Sequence, residues 1–337
     1  MQKAAGKLFC LWQIKRWIKR QVTRESSCAK VILGKLFSEE LGMTEHNRFR
    51  SEDAEEKCLA MFRSWEKLHW PVESESLYIN TSYGKTFVRL SGPKHAPPLF
   101  LLHGIGSNSL YWGKNIEELS EEFRTYAADT IDDYGLSINT VRMKDRSDHA
   151  KWLNELFTGL GLEDNINLIG YSYGGWIASQ YALRFQKRLR KIIMVAPAGT
   201  IRPIVFQFYI RRMLMLLPIR FFKESYFLWV DAASNNTHGF KEQIDFMETT
   251  VRCYRHNYSI VRPTVLTDEE LRSIKCPALF LIGEREKIYS PQKAVDRLER
   301  VAPHIKKEII PDTGHMSILR SPEINEKMLA FLKENCG

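Results

Sequence analysis

The stretch that decides the fold is Asn165-Ile166-Asn167-Leu168-Ile169 running directly into Gly170-Tyr171-Ser172-Tyr173-Gly174-Gly175, followed by residues 176–185 with helical character. A G-x-S-x-G pattern alone arises by chance roughly once in ten chains of this length, so its context carries the meaning. A buried strand, a sharp glycine-flanked turn and a helix together form a nucleophile elbow, in which the serine hydroxyl is held out at the tip of the turn. Working outward, residues 99–102, 125–128 and 192–195 repeat the short continuous apolar run of 166–169, as do 278–282 and 307–310. Continuous rather than alternating apolarity marks a strand buried on both faces, and the intervening segments are long enough for helical crossovers. The fold class is therefore α/β, with a mostly parallel twisted sheet flanked by helices. Ser51 followed by Glu52, Asp53, Glu55 and Glu56 predicts a helix N-terminus, ended by Trp70-Pro71. Residues 76–91 predict a β-hairpin turning at Tyr83-Gly84-Lys85.

A serine at such a turn needs a base, an acid to orient the base, and donors for the oxyanion. His315 lies in Pro311-Asp312-Thr313-Gly314-His315-Met316, just after the last apolar run, and so leaves the same sheet edge as Ser172. Two carboxylates follow the run 278–282, in Gly283-Glu284-Arg285-Glu286. Either could serve; Glu286, three residues past the glycine, is preferred by pattern. Asp312 reads as a turn former. The oxyanion donors are expected to be the backbone N–H groups of Tyr173, after the nucleophile, and of Ile105, in the loop His103-Gly104-Ile105-Gly106. His103 itself reads as a structural residue bonded to backbone.

The order Ser172, Glu286, His315 is that of the α/β-hydrolase triad, and from Trp70-Pro71 onward the chain resembles that superfamily. It is most similar to the carboxylesterases of bacilli that cleave naproxen-type esters. The likeness rests on Ala96-Pro97-Pro98-Leu99 leading into His103-Gly104, the elbow, Thr267-Asp268-Glu269-Glu270-Leu271-Arg272, the segment from Gly283 through Pro291, and Gly314-His315. It implies an α/β-hydrolase fold, ester hydrolysis through an acyl-enzyme, a small to medium apolar or aryl ester as substrate, and no metal or organic cofactor. Thioester and carbon–carbon bond hydrolysis use similar groups, and a hydrolase-like ligand receptor or signalling partner is the alternative of a different class. Serine at the elbow argues against dehalogenases and epoxide hydrolases, which place an aspartate there. One departure stands out: the turn Asp129-Thr130-Ile131-Asp132-Asp133-Tyr134-Gly135-Leu136-Ser137 is one residue longer before its glycine than in many relatives.

Composition bounds the remainder. The 337 residues are 44% hydrophobic and 26% charged, an ordinary globular balance. No apolar run reaches the length of a membrane span. The net charge of +9 is concentrated: residues 1–42 hold nine Lys/Arg and three Glu, and the rest 40 basic and 37 acidic side chains, which argues against a nucleic-acid-binding body. Six scattered cysteines without C-x-x-C spacing support neither a zinc site nor a redox motif and fit a cytoplasmic setting. The expected organisation is a basic leader over 1–42, a hydrolase core over 43–197 and 275–337, and an aromatic-rich helical cap over 198–274, some of whose aromatics either fill its core or roof a pocket. Two readings of the leader stand, a membrane-surface helix or translated upstream sequence. In the second, the better fit, Glu39-Glu40 encodes a purine-rich ribosome-binding region and Met43 is the start. Oligomeric state is not set by the sequence.

Overall fold

A computed structural model of the chain describes residues 48–215, 217, 219–231, 240–255 and 260–334. The expected leader and the alternative start at Met43 lie outside these residues. Strand β3 (Pro98–Leu102) explains the continuous apolar runs. Its Phe100 and Leu102 join one apolar cluster and its Leu99 and Leu101 another, all four fully buried. A strand with a core on each side has no polar face, because its side chains alternate between two dry surfaces. The neighbours behave alike: β6 (Ile166–Tyr171), β7 (Leu189–Val195) and β8 (Ala278–Gly283) send alternate side chains to the same two clusters.

The sheet has the order β1-β2-β4-β3-β6-β7-β8-β9, where β1 is Glu75–Thr81, β2 Gly84–Ser91, β4 Arg124–Ala128 and β9 Lys306–Ile310. The β1–β2 hairpin and the β2–β4 pairing are antiparallel; every pairing from β4 through β9 is parallel. A two-residue strand, β5 (Ile138–Asn139), pairs antiparallel with β2 off this path. The run 307–310 differs from the expectation of burial on both faces. As the edge strand, β9 pairs on one side only; Ile310 alone in it is fully buried, while Ile309 on the opposite face is only partly covered.

Helices α1 (Glu52–His69), α2 (Ile116–Glu122), α3 (Arg146–Gly159) and α4 (Tyr173–Phe185) belong to the first half. As expected, the Ser51 hydroxyl caps α1, accepting from Ala54 N–H at 3.1 Å. Between β7 and β8 the chain forms α5 (Phe206–Met215), α6 (Arg220–Val230), α7 (Lys241–Cys253) and α8 (Asp268–Ser273). The last begins in a capping box, with Thr267 Oγ1 accepting from Glu270 N–H (3.1 Å) and Glu270 Oε2 from Thr267 N–H (2.9 Å). Helix α1 packs on α7 through a third cluster, Phe49, Cys58, Phe62, Phe246 and Cys253, joining the start of the described chain to the insertion. Helices α9 (Pro291–Val301) and α10 (Pro322–Lys333) complete the layers.

A buried lysine sits at the end of the dry core. Lys191 on β7 donates from Nζ to the carbonyls of Phe331 (2.5 Å), Leu332 (3.0 Å) and Glu334 (2.5 Å), capping the C-terminus of α10 with positive charge. Lys191→Met keeps the apolar stem but leaves those carbonyls without their donor. It should destabilise the fold by about 2 kcal/mol, read as a lower urea midpoint at unchanged slope; an unchanged midpoint would show that water replaces the ammonium without loss.

Candidate active site

The elbow is built by close backbone approach. A side chain on Gly170 would place its Cβ 2.2 Å from Gly174 O, and one on Gly174 would come within 2.4 Å of Leu102 O, so strand, turn and helix meet only because both residues are glycine. Between them Ser172 sits at φ +52°, ψ −112°, a conformation that costs a non-glycine residue about 1–3 kcal/mol. Its backbone is held on both sides: Ser172 N–H donates to Val195 O (2.9 Å), and Ser172 O accepts from Trp176 N–H (3.1 Å) and Ala198 N–H (3.0 Å).

His315 Nε2 lies 2.9 Å from Ser172 Oγ, and His315 Nδ1 lies 2.6 Å from Glu286 Oε2. A carboxylate can only accept, so Nδ1 carries the proton and Nε2 turns its lone pair toward the serine hydroxyl. Glu286 has a fully buried side chain, satisfied at its other oxygen by Lys287 N–H and Ile288 N–H, both 2.8 Å from Oε1. Glu284, two residues earlier, faces solvent and accepts from Asp312 N–H. The loop carrying the histidine is pinned in turn. Tyr171 O–H donates to His315 O (2.9 Å), and Asp231 Oδ1, just past α6, accepts from Ser317 N–H (3.1 Å) and its hydroxyl (2.6 Å).

The loop after β3 closes the other side of the serine. A Cβ on Gly104 would stand 3.2 Å from Ser172 Cβ. His103 Nε2 accepts from Thr130 N–H (2.9 Å) and its Nδ1–H donates to Gly104 O (2.8 Å), the structural role expected of it. Gly106 N–H donates to Asp133 Oδ2 (2.7 Å), so it is engaged away from any oxyanion. Tyr173 is the first residue of α4, whose leading N–H groups have no partner within the helix.

Comparison with known proteins identifies relatives of the same fold. The sequence pattern of the alpha/beta hydrolase fold matches residues 97–221. Carboxylesterase YbfK of Bacillus subtilis is 36% identical over 278 residues, spanning 80% of this chain and 90% of that protein. The carboxylesterase nap of the same organism is 35% identical over 274 residues, with the same coverage. The crystal structure of naproxen esterase from Bacillus subtilis superposes with a TM-score of 0.77 at 32% identity, covering 84% of this chain and all of that one. The chain belongs to the carboxylesterases of the α/β-hydrolase fold.

In this hydrolase the three expected side chains Ser172, His315 and Glu286 come together; Tyr173 directly follows the serine, and Ile105 lies in the loop after β3, next to Gly104. Tyr171, Asp231 and Asp133 were not singled out beforehand. Tyr171 lies inside the elbow motif, and Asp133 lies in the lengthened turn, where its bond to Gly106 is now visible. Its neighbour Asp132 accepts from His149 Nε2 (3.0 Å), which also contacts the Tyr173 hydroxyl (3.2 Å). The aromatics of the insertion divide in an unexpected way. Phe208, Tyr226 and Phe227 are core, whereas Phe206, Tyr209 and Phe221 are exposed. The thiols take no part: Cys58, Cys253 and Cys276 are free and buried, and burial pushes Cys58 up to about 12 and Cys276 up to about 11.

Asp133 is the group whose charge matters to this loop. Desolvation pushes its carboxyl up from 3.8 to about 6, against the opposing pull of His103 and of the Tyr134 and Gly106 N–H groups, with Asp132 adding repulsion. An acid with a raised folded pKa contributes stability that is full below its unfolded value and lost as pH rises through the folded one. Asp133→Asn cannot ionise, so its stability relative to the parent should improve between pH 3.8 and about 6 and level off above that, read from melting temperatures. A constant difference across that range would mean the carboxyl titrates normally.

Proposed function

We propose that the chain hydrolyses carboxylic esters through an acyl-enzyme on Ser172. Ser172 Oγ attacks the ester carbonyl carbon while His315 Nε2 takes the hydroxyl proton. The resulting oxyanion accepts from the Ile105 and Tyr173 N–H groups, and Glu286 holds the imidazole in the correct tautomer and stabilises its protonated form. Collapse of the tetrahedral intermediate breaks the bond to the alcohol, which leaves with the proton from His315. Water activated by the same imidazole then cleaves the acyl-enzyme, and Ser172 recovers its proton. The observation that carries this reading is the unbroken chain of two hydrogen bonds, Ser172 Oγ to His315 Nε2 at 2.9 Å and His315 Nδ1 to Glu286 Oε2 at 2.6 Å.

Substrate class is inferred from kinship and setting. The relative described as naproxen esterase supports a small to medium apolar or aryl ester, and the helices between β7 and β8, within 198–274, serve in this reading as a cap over a core of 43–197 and 275–337. The free thiols support a reducing, cytoplasmic setting. Among the described residues no helix is long and apolar enough to cross a membrane.

Turnover of p-nitrophenyl esters tests the roles. Ser172→Ala should lower kcat by a factor on the order of 10⁴ with an unchanged melting profile. Glu286→Gln should cost at least roughly a hundredfold through loss of the tautomer and the charge partner, whereas Glu284→Gln should stay within about threefold. Full activity in Ser172→Ala, or the reverse order of the two glutamates, would overturn the assignment.

A further inference from the structure

Helix α5 carries its apolar residues on the wrong side. Phe206, Tyr209, Ile210 and Met213 recur at the spacing of one helical face, and that face points to solvent, with Phe206 76% and Met213 63% exposed. Phe208 and Met215 on the other side already supply the contact with the core. Exposed Leu217 and Ile219 continue the surface, and Phe221 (69% exposed) and Leu228 add to it from α6. The two helices pack together, and Arg211 joins them by donating to Ser225 Oγ (3.1 Å) with its guanidinium over the Trp229 ring. Contiguous exposed apolar surface of this kind marks an interaction site.

Charge identifies the occupant. From position 202 to 228 the chain has four arginines, one lysine and a single acid, Glu224. Arg220 and Lys223 are paired with Glu224, Asp245 and Glu248, whereas Arg202, Arg211 and Arg212 form no ion pair among the described residues. A second copy docked face to face through a two-fold axis would set these arginines against one another. An apolar helical face among unpaired arginines matches an anionic lipid surface, into which the rings and aliphatic side chains insert while the guanidinium groups meet headgroup phosphates.

We propose that the outward faces of α5 and α6 dock on anionic lipid bilayers. The location gives this a consequence for the site, one that rests on the esterase reading above. Val205 N–H, at the start of α5, donates to Ile288 O (2.9 Å) two residues from Glu286, and Val230 O, at the end of α6, accepts from His315 N–H (3.4 Å). The docking helices are thus tied by backbone hydrogen bonds to the two loops that carry the proposed acid and base, so an ester dissolved in the bilayer is delivered beside Ser172.

The test is co-sedimentation of the full chain with vesicles of phosphatidylcholine alone and with an added third of phosphatidylglycerol. The parent should bind the anionic vesicles at least tenfold more tightly and lose that preference at high salt. The triple variant Phe206→Ser/Met213→Ser/Phe221→Ser should lose at least tenfold in vesicle affinity while keeping its turnover of a soluble p-nitrophenyl ester within twofold. Should the triple variant fail to fold, Phe206→Ser alone, at the most exposed position, should weaken binding at least threefold. Absence of parent binding, or binding undiminished in these variants, overturns the proposal; so does a concentration-dependent dimer in sedimentation equilibrium that the variants abolish. Binding is read without turnover, so a parent inactive on soluble esters would defeat the esterase reading and leave the docking result standing.

Discussion

The turn at Ser172 is the constraint on which the remainder of the site depends. Its positive φ is tolerated because the flanking backbone cannot move: Gly170 and Gly174 allow β6, α4 and β3 to approach more closely than any Cβ permits, and three backbone hydrogen bonds to Ser172 fix the turn between them. The hydroxyl is therefore oriented by the fold before substrate arrives. Pre-organisation of this kind places the cost of ordering in the folding of the core, leaving little to reorganise at the moment of reaction.

Around that fixed point the parallel sheet gathers segments remote in sequence. Glu286 follows β8 and His315 follows β9, while the Gly104 loop follows β3; all leave the carboxyl ends of parallel strands, where α/β folds place their sites. The buried Glu286 carboxylate is tolerable because each oxygen has a donor: His315 on one, the Lys287 and Ile288 N–H groups on the other. The Ile288 carbonyl also anchors Val205, so the acid's turn is tied to the start of α5. The histidine's loop is tied likewise to Val230 and Asp231 at the end of α6, which links the proposed triad to both helices of the insertion.

Much of this was legible from residue order. The glycines of the elbow report a steric demand, and the continuous apolar runs report two-sided burial; both are local signals. The preference for Glu286 over Glu284 drew on pattern, and the structure supplies its reason: the turn aims one carboxylate inward and leaves the other at the surface. Lys191 and Asp133 could not be read in this way, because each is explained by partners far off in sequence, the α10 carbonyls and Gly106. The insertion misled for a different reason. Aromatic content announces apolar surface without saying which side it faces, and in α5 half of that surface faces outward.

The central claim is that the fold activates one serine hydroxyl among many. Treating the full chain with a fluorophosphonate, which a nucleophilic oxygen attacks at phosphorus with loss of fluoride, and then measuring intact mass and mapping peptides tests this most directly. The account predicts one adduct per chain, on Ser172, and none in His315→Ala over the same time. No adduct in the parent, labelling at another residue, or equal labelling without His315 would contradict it.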